Sequence, residues 1–152
     1  MDIRNSTPVL LSSVFLISLC GPQLAYGDSA PCDLLTQNQV STIVGASVGA
    51  GSPIANTGCS WKTTGATRVV ITVSMQSEKM FVGAKSSLTA PQETKMPVSG
   101  VGDEAVFIGL QNFSSLWVRK GTKFLLVRIY GVPVSEAQTK LTALAKDALS
   151  KL

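Results

Sequence analysis

The chain has 152 residues, 45% of them hydrophobic and 14% charged, a length that suits one domain with a real core and no dense crosslinking. It has no histidine, which removes the commonest general base, proton shuttle and metal ligand. The net charge of +4 is spread along the sequence, which argues against the clustered basic stripe of a nucleic-acid-binding surface.

The first segment reads as a targeting leader. Val9 to Cys20 is apolar apart from Ser12, Ser13 and Ser18, and follows a single net positive charge set by Arg4, Asp2 and the amine. A helix of that run spans about 18 Å at 1.5 Å per residue. This is short for a bilayer, which needs about 20 residues, and right for a signal-peptide apolar region. Gly21-Pro22 then breaks the helix, and Ala25-Tyr26-Gly27 places small residues where a signal peptidase cleaves. Residues 1–27 are therefore expected to be a signal peptide cut before Asp28, delivering residues 28–152 as one domain to the periplasm or beyond. Two alternatives stand beside it. Cys20 fits a lipid-anchored envelope protein, although Leu19 is bulky where a lipobox wants a small residue, and an uncleaved buried N-terminal helix is the other.

Past the leader, Cys32 and Cys59 form an even pair, and an oxidising compartment favours their joining as a disulfide. A redox-active or metal-binding pair is disfavoured by the absence of Cys-x-x-Cys spacing and of histidine. Thr36 and Gln39 stand at capping-box spacing, starting a helix that carries Val40, Ile43 and Val44 and stops at Gly45. Gly45 to Gly58 reads as a loop. Cys59–Lys62 and Arg68–Met75 read as a hairpin turning at Thr63–Ala66.

Ser77 caps a second helix of about a dozen residues, with Met80, Phe81, Ala84 and Leu88 along one side. Thr89 to Val98, with two prolines, reads as a connection or an edge strand. Gly100 to Ile108 is a glycine turn leading into a strand. Leu116–Arg119 and Thr122–Tyr130 form a hairpin with a two-residue turn at Lys120-Gly121. Leu125, Val127 and Ile129 share one face of the second strand, and Phe124, Leu126, Arg128 and Tyr130 share the other. Both faces are largely apolar, so this strand belongs in the middle of a sheet.

The last helix follows Pro133, with Ser135 and Gln138 at capping-box spacing. Ala137, Leu141, Leu144, Ala145, Ala148, Leu149 and Leu152 recur along one stripe. A stripe of this kind laid on an antiparallel sheet gives an α+β domain of order α-β-β-α-β-β-β-α.

Catalytic patterns are sparse. Gly45-Ala46-Ser47-Val48-Gly49 matches Gly-x-Ser-x-Gly, but it follows a helix and lacks a histidine, so it reads as a small-residue loop. No Ser-x-x-Lys spacing occurs. Asp103 and Glu104 are adjacent, so on a strand they point to opposite faces. Asp103 is expected to cap its glycine turn and Glu104 to be solvated. Trp61 and Trp117, with Tyr130, are core residues or the wall of a ligand groove.

Pro31-Cys32-Asp33-Leu34-Leu35-Thr36, Cys59-Ser60-Trp61, Gly102-Asp103-Glu104-Ala105 and Val118-Arg119-Lys120-Gly121 occur in that order. The pattern resembles short exported bacterial proteins, often lipoproteins, grouped as domain of unknown function 3558. The resemblance covers nearly all of the chain after the leader. It implies an envelope location and a paired Cys32 and Cys59, and it implies no activity.

The expectation is thus a non-enzymatic envelope domain that binds a protein or a cell-wall component, with no cofactor, metal or nucleic acid, and with membrane contact only through a lipidated Cys20. Trp61, Asp103, Glu104, Trp117 and Arg119 are the candidate surface. The alternatives are a small-molecule sensor with a pocket between the C-terminal helix and the sheet, and a hydrolase using Asp103 or Glu104. N-terminal sequencing of the exported protein is expected to begin at Asp28. Recovery of an intact Met1 would contradict the leader.

Overall fold

The computed structural model describes residues 30–152, so the leader, Cys20 and the cleavage point lie outside the described residues. A 3-10 turn, Pro31–Asp33, precedes α1 (Gln37–Val44). Three strands follow: β1 (Ser52–Ile54), β2 (Gly58–Lys62) and β3 (Val70–Gln76). α2 (Glu78–Ser86) leads to β4 (Thr94–Pro97), β5 (Glu104–Leu110), β6 (Phe113–Lys120) and β7 (Lys123–Tyr130), and α3 (Val134–Leu149) closes the chain. The strands make one antiparallel sheet in the order β1-β2-β3-β7-β6-β5-β4. The fold is α+β, as the alternation of apolar residues predicts.

The two faces of the sheet are covered unequally. On the inner face Ile71, Val73, Leu116, Val118, Leu125, Val127 and Ile129 are shielded almost completely. The stripe of α3 packs there, with Ala137, Leu141, Leu144, Ala145 and Ala148 all at 0% exposure. Full burial of each large aliphatic side chain contributes about 1.5–3 kcal/mol, so this face dominates stability. α1 adds Val40 and Val44 to the same core.

The helix ends agree with the sequence at α1 and depart from it at α3. Gln39 donates its backbone N–H to Thr36 Oγ1 at 3.2 Å, and Thr36 donates its own to Gln39 Oε1 at 2.9 Å. Lys140 Nζ donates to the carbonyl of Val44 at 3.1 Å, tying the end of α1 to α3. No capping box forms at Ser135 and Gln138. Pro133 is the N-cap and makes no side-chain cap hydrogen bond, so the helix starts one residue before Ser135.

α2 is also shorter than its pattern predicts. Ser77 Oγ accepts the Met80 N–H at 3.4 Å, but the helix ends at Ser86. Of its expected apolar side only Phe81 is buried, while Met80 is 52% exposed and Leu88 lies past the helix at 95%. Gly83 at its centre favours this early end.

Two further strands appear at the borders. β1 lies inside the expected loop, pairing Pro53 with Cys59, and β4 pairs Pro97 with Val106. Each is short and carries a proline. β4 takes the edge-strand alternative read for Thr89 to Val98, while β1 gives little sign in propensity and is ordered by pairing with β2. The β6–β7 turn is Gly121-Thr122, one residue later than expected, because Gly121 adopts φ +58 at the first turn position.

Cys32 and Cys59 are bonded, with their Cα atoms 5.0 Å apart. The bond fastens the 3-10 turn to β2, and Leu34 and Leu35 just beyond are buried. A crosslink closing 27 residues of sequence separation removes unfolded-state entropy equivalent to about 3.5 kcal/mol. The double variant Cys32→Ala/Cys59→Ala is expected to lose about that much stability in urea denaturation. A loss below about 1 kcal/mol would show that the turn is held by packing instead.

Candidate functional site

The outer face of the sheet carries the site. By register its side chains include Phe124, Leu126, Arg128 and Tyr130 of β7, with Phe113, Ser115, Trp117 and Arg119 of β6 opposite them. α2 covers one end only. Phe81 descends from α2 onto Phe124, with ring centroids 5.5 Å apart, and joins Trp117 and Leu126 in a second small core. This leaves a cleft of about 690 Å³ beside α2, lined by Phe81, Lys85, Glu104, Arg119, Gly121 and Phe124 among others.

Charges gather at this cleft. Glu104 on β5 lies opposite Arg119 on β6. Its carboxylate pairs with Lys85 from α2 and lies 3.7 Å from Arg119 Nε. The hydrogen bond from Lys85 holds the Glu104 carboxyl below its ordinary value; desolvation opposes it, and the charges of Lys85 and Arg119 reinforce it. A carboxylate kept ionised in this way is a weak general base. It is better suited to fixing two cations at a surface.

Asp103 departs from its expected role. Its Oδ2 accepts the N–H of Gly121 at 2.7 Å, so it caps the β6–β7 turn rather than its own glycine turn. Gly102, at φ +60, makes this approach feasible, since a Cβ there would stand 2.4 Å from the Arg119 carbonyl. Asp103 also lies 3.8 Å from Arg119 Nη1. Glu104 is correspondingly ion-paired rather than simply solvated.

Of the residues singled out from sequence, Asp103, Glu104 and Arg119 come together, with Trp117 beneath α2 at 7% exposure. Trp61 does not join them. It is 1% exposed in the inner core, on the opposite face. The space between α3 and the sheet, where the alternative small-molecule sensor would have its pocket, is filled by the α3 stripe. The sequence reading missed Lys85, Phe81 and Phe124 as cleft residues. It also passed over Arg128, the one charge on an otherwise apolar strand face, which was visible in the alternation.

Among the described residues, no cluster of His, Cys, Asp or Glu could hold a metal ion, and no helix is long and apolar enough to cross a membrane. The fold and cleft define an antiparallel α+β domain with one sealed and one part-covered sheet face. Compared with protein-family models, curated proteins and solved structures, the chain finds no match.

Because the folded Glu104 value is lowered, its ion pairing stabilises the domain above the unfolded value and fades as pH falls through the folded one. The wild-type melting temperature is therefore expected to fall more steeply than that of Glu104→Gln between about pH 5 and 3. Parallel curves would remove Glu104 from the network.

Proposed function

We propose that this chain is an exported, non-enzymatic binding domain whose protein partner docks on the outer face of the sheet, over α2 and the cleft beside it. The carrying observation is the uneven distribution of exposed apolar side chains. Met80 and Val82 on α2, Leu88 just beyond it, and Ile54, Leu110 and Tyr130 on outer-face register positions are all more than a third exposed. Among the described residues Met96 is the remaining large exposed hydrophobic, and it borders the inner face. Apolar surface gathered on one side of a small domain marks an interaction site more often than chance exposure does.

Three further features support the reading. The disulfide agrees with passage through an oxidising compartment. The leader pattern and the resemblance to exported proteins point to the envelope. The Lys85–Glu104–Arg119 network supplies a charged rim beside an apolar centre, the arrangement common at protein interfaces.

A photo-crosslinking residue placed at Val82 in the native cell is expected to give one discrete protein adduct. The same residue at Thr139, exposed on α3, is expected to give none. Equal labelling from both positions, or none from Val82, would overturn the reading.

A further inference from the structure

Arg128 stands at the middle of the sheet on the outer face, between Thr72 of β3 and Ser115 of β6. Its Nε is buried and hydrogen-bonds to none of the described residues. No carboxylate among them pairs with it. The diagonal neighbours are Val70, Ser74, Phe113 and Trp117, none of them acidic. A guanidinium partly sunk in a sheet without an anion destabilises the free domain, so folding alone gives no reason for it.

The surroundings specify what would complete it. By register, the strand cations among the described residues of this face are Lys62, Lys95, Arg119 and Arg128, against the single carboxylate of Glu104. That carboxylate is already engaged by Lys85 and Arg119. On one flank of Arg128 the rings of Phe113 and Tyr130 stack with centroids 4.7 Å apart, and the row continues to Leu110. An arginine beside a partly open aromatic pair is the composition of an interface hot spot. In the row through Arg128 the nearest residues are hydroxyls, Ser60, Thr72 and Ser115, with Ile108 and Lys95 beyond Ser115. An anionic membrane would call instead for a cluster of lysines.

We infer that Arg128 anchors an acidic segment of the partner protein, receiving one of its carboxylates while a neighbouring apolar side chain of that segment lies on Tyr130, Phe113 and Leu110. A guanidinium donates two parallel hydrogen bonds to a carboxylate, which fixes direction as well as charge. The inference rests on the outer face being the partner surface, as proposed above.

Random twelve-residue peptides displayed on phage, panned against the disulfide-bonded domain, test it. Selected sequences are expected to pair an aspartate or glutamate with an adjacent aliphatic or aromatic residue. The resynthesised lead should bind Arg128→Gln at least tenfold more weakly than wild type, with Arg128→Lys in between. Tyr130→Ser, at an exposed position, should weaken binding at least threefold with an unchanged melting temperature, so a misfolded Arg128 variant cannot decide the matter alone. Selection of peptides without acids, or a lead indifferent to Arg128→Gln and Tyr130→Ser, would overturn the inference. So would failure to select any peptide, or Arg128-dependent capture by phosphatidylglycerol vesicles in place of peptides. In each case the Val82 crosslink separately decides whether the outer face meets a protein.

Discussion

The sheet is continuous only because β7 pairs with β3. Two meanders, β1–β2–β3 and β4–β5–β6–β7, are otherwise built from neighbours in sequence. Seven registered positions, Val70↔Tyr130 to Gln76↔Phe124, join them into one surface. The chain between those strands must close as a long loop, at an entropy that grows only slowly with length. β7 meets the demand by being apolar on both sides. Leu125, Val127 and Ile129 enter the inner core, and Phe124 and Leu126 enter the outer one. The platform for α3 and the floor of the cleft both follow from this pairing.

Once β7 is central, the two faces are left with different amounts of helix. α3 has sixteen residues and a stripe of alanines and leucines that lies close against the strands. α2 has nine and offers one buried aromatic, Phe81. The inner face is therefore saturated, while much of the outer face keeps its side chains accessible. Arg119 and Glu104 sit where cover by α2 meets the open sheet. Their charges are only partly shielded by solvent there, and Lys85 reaches them from above. Such exposed pairs contribute little to stability.

Much of this was legible in the sequence, and the parts that were not share a physical cause. The α1 capping box, the Gly45 stop, the β2–β3 hairpin, the central position of β7 and the burial of the α3 stripe all follow from local pattern. So does the disulfide, from cysteine parity. β1 was hidden because three residues with a proline carry no propensity signal, while β4 is the edge strand that the segment from Thr89 to Val98 left open beside a plain connection. The N-terminus of α3 was misplaced because Pro133 took the cap that Ser135 was expected to fill. Asp103 was assigned to the nearer turn, since nothing local reveals that Gly121 comes within hydrogen-bond reach. Trp61 was grouped with Trp117 by residue type, whereas register puts them on opposite faces. Arg128 was placed on a largely apolar face without a role, and only the sheet order shows that none of its described strand neighbours is acidic.

Pro53 and Pro97 stand on the two outermost strands. Each interrupts the row of amide donors that an incoming chain would need to extend the sheet. Zippering by backbone hydrogen bonds is thereby discouraged at both borders, for copies of this domain and for foreign strands alike. Fibril growth therefore finds a poor template at either border.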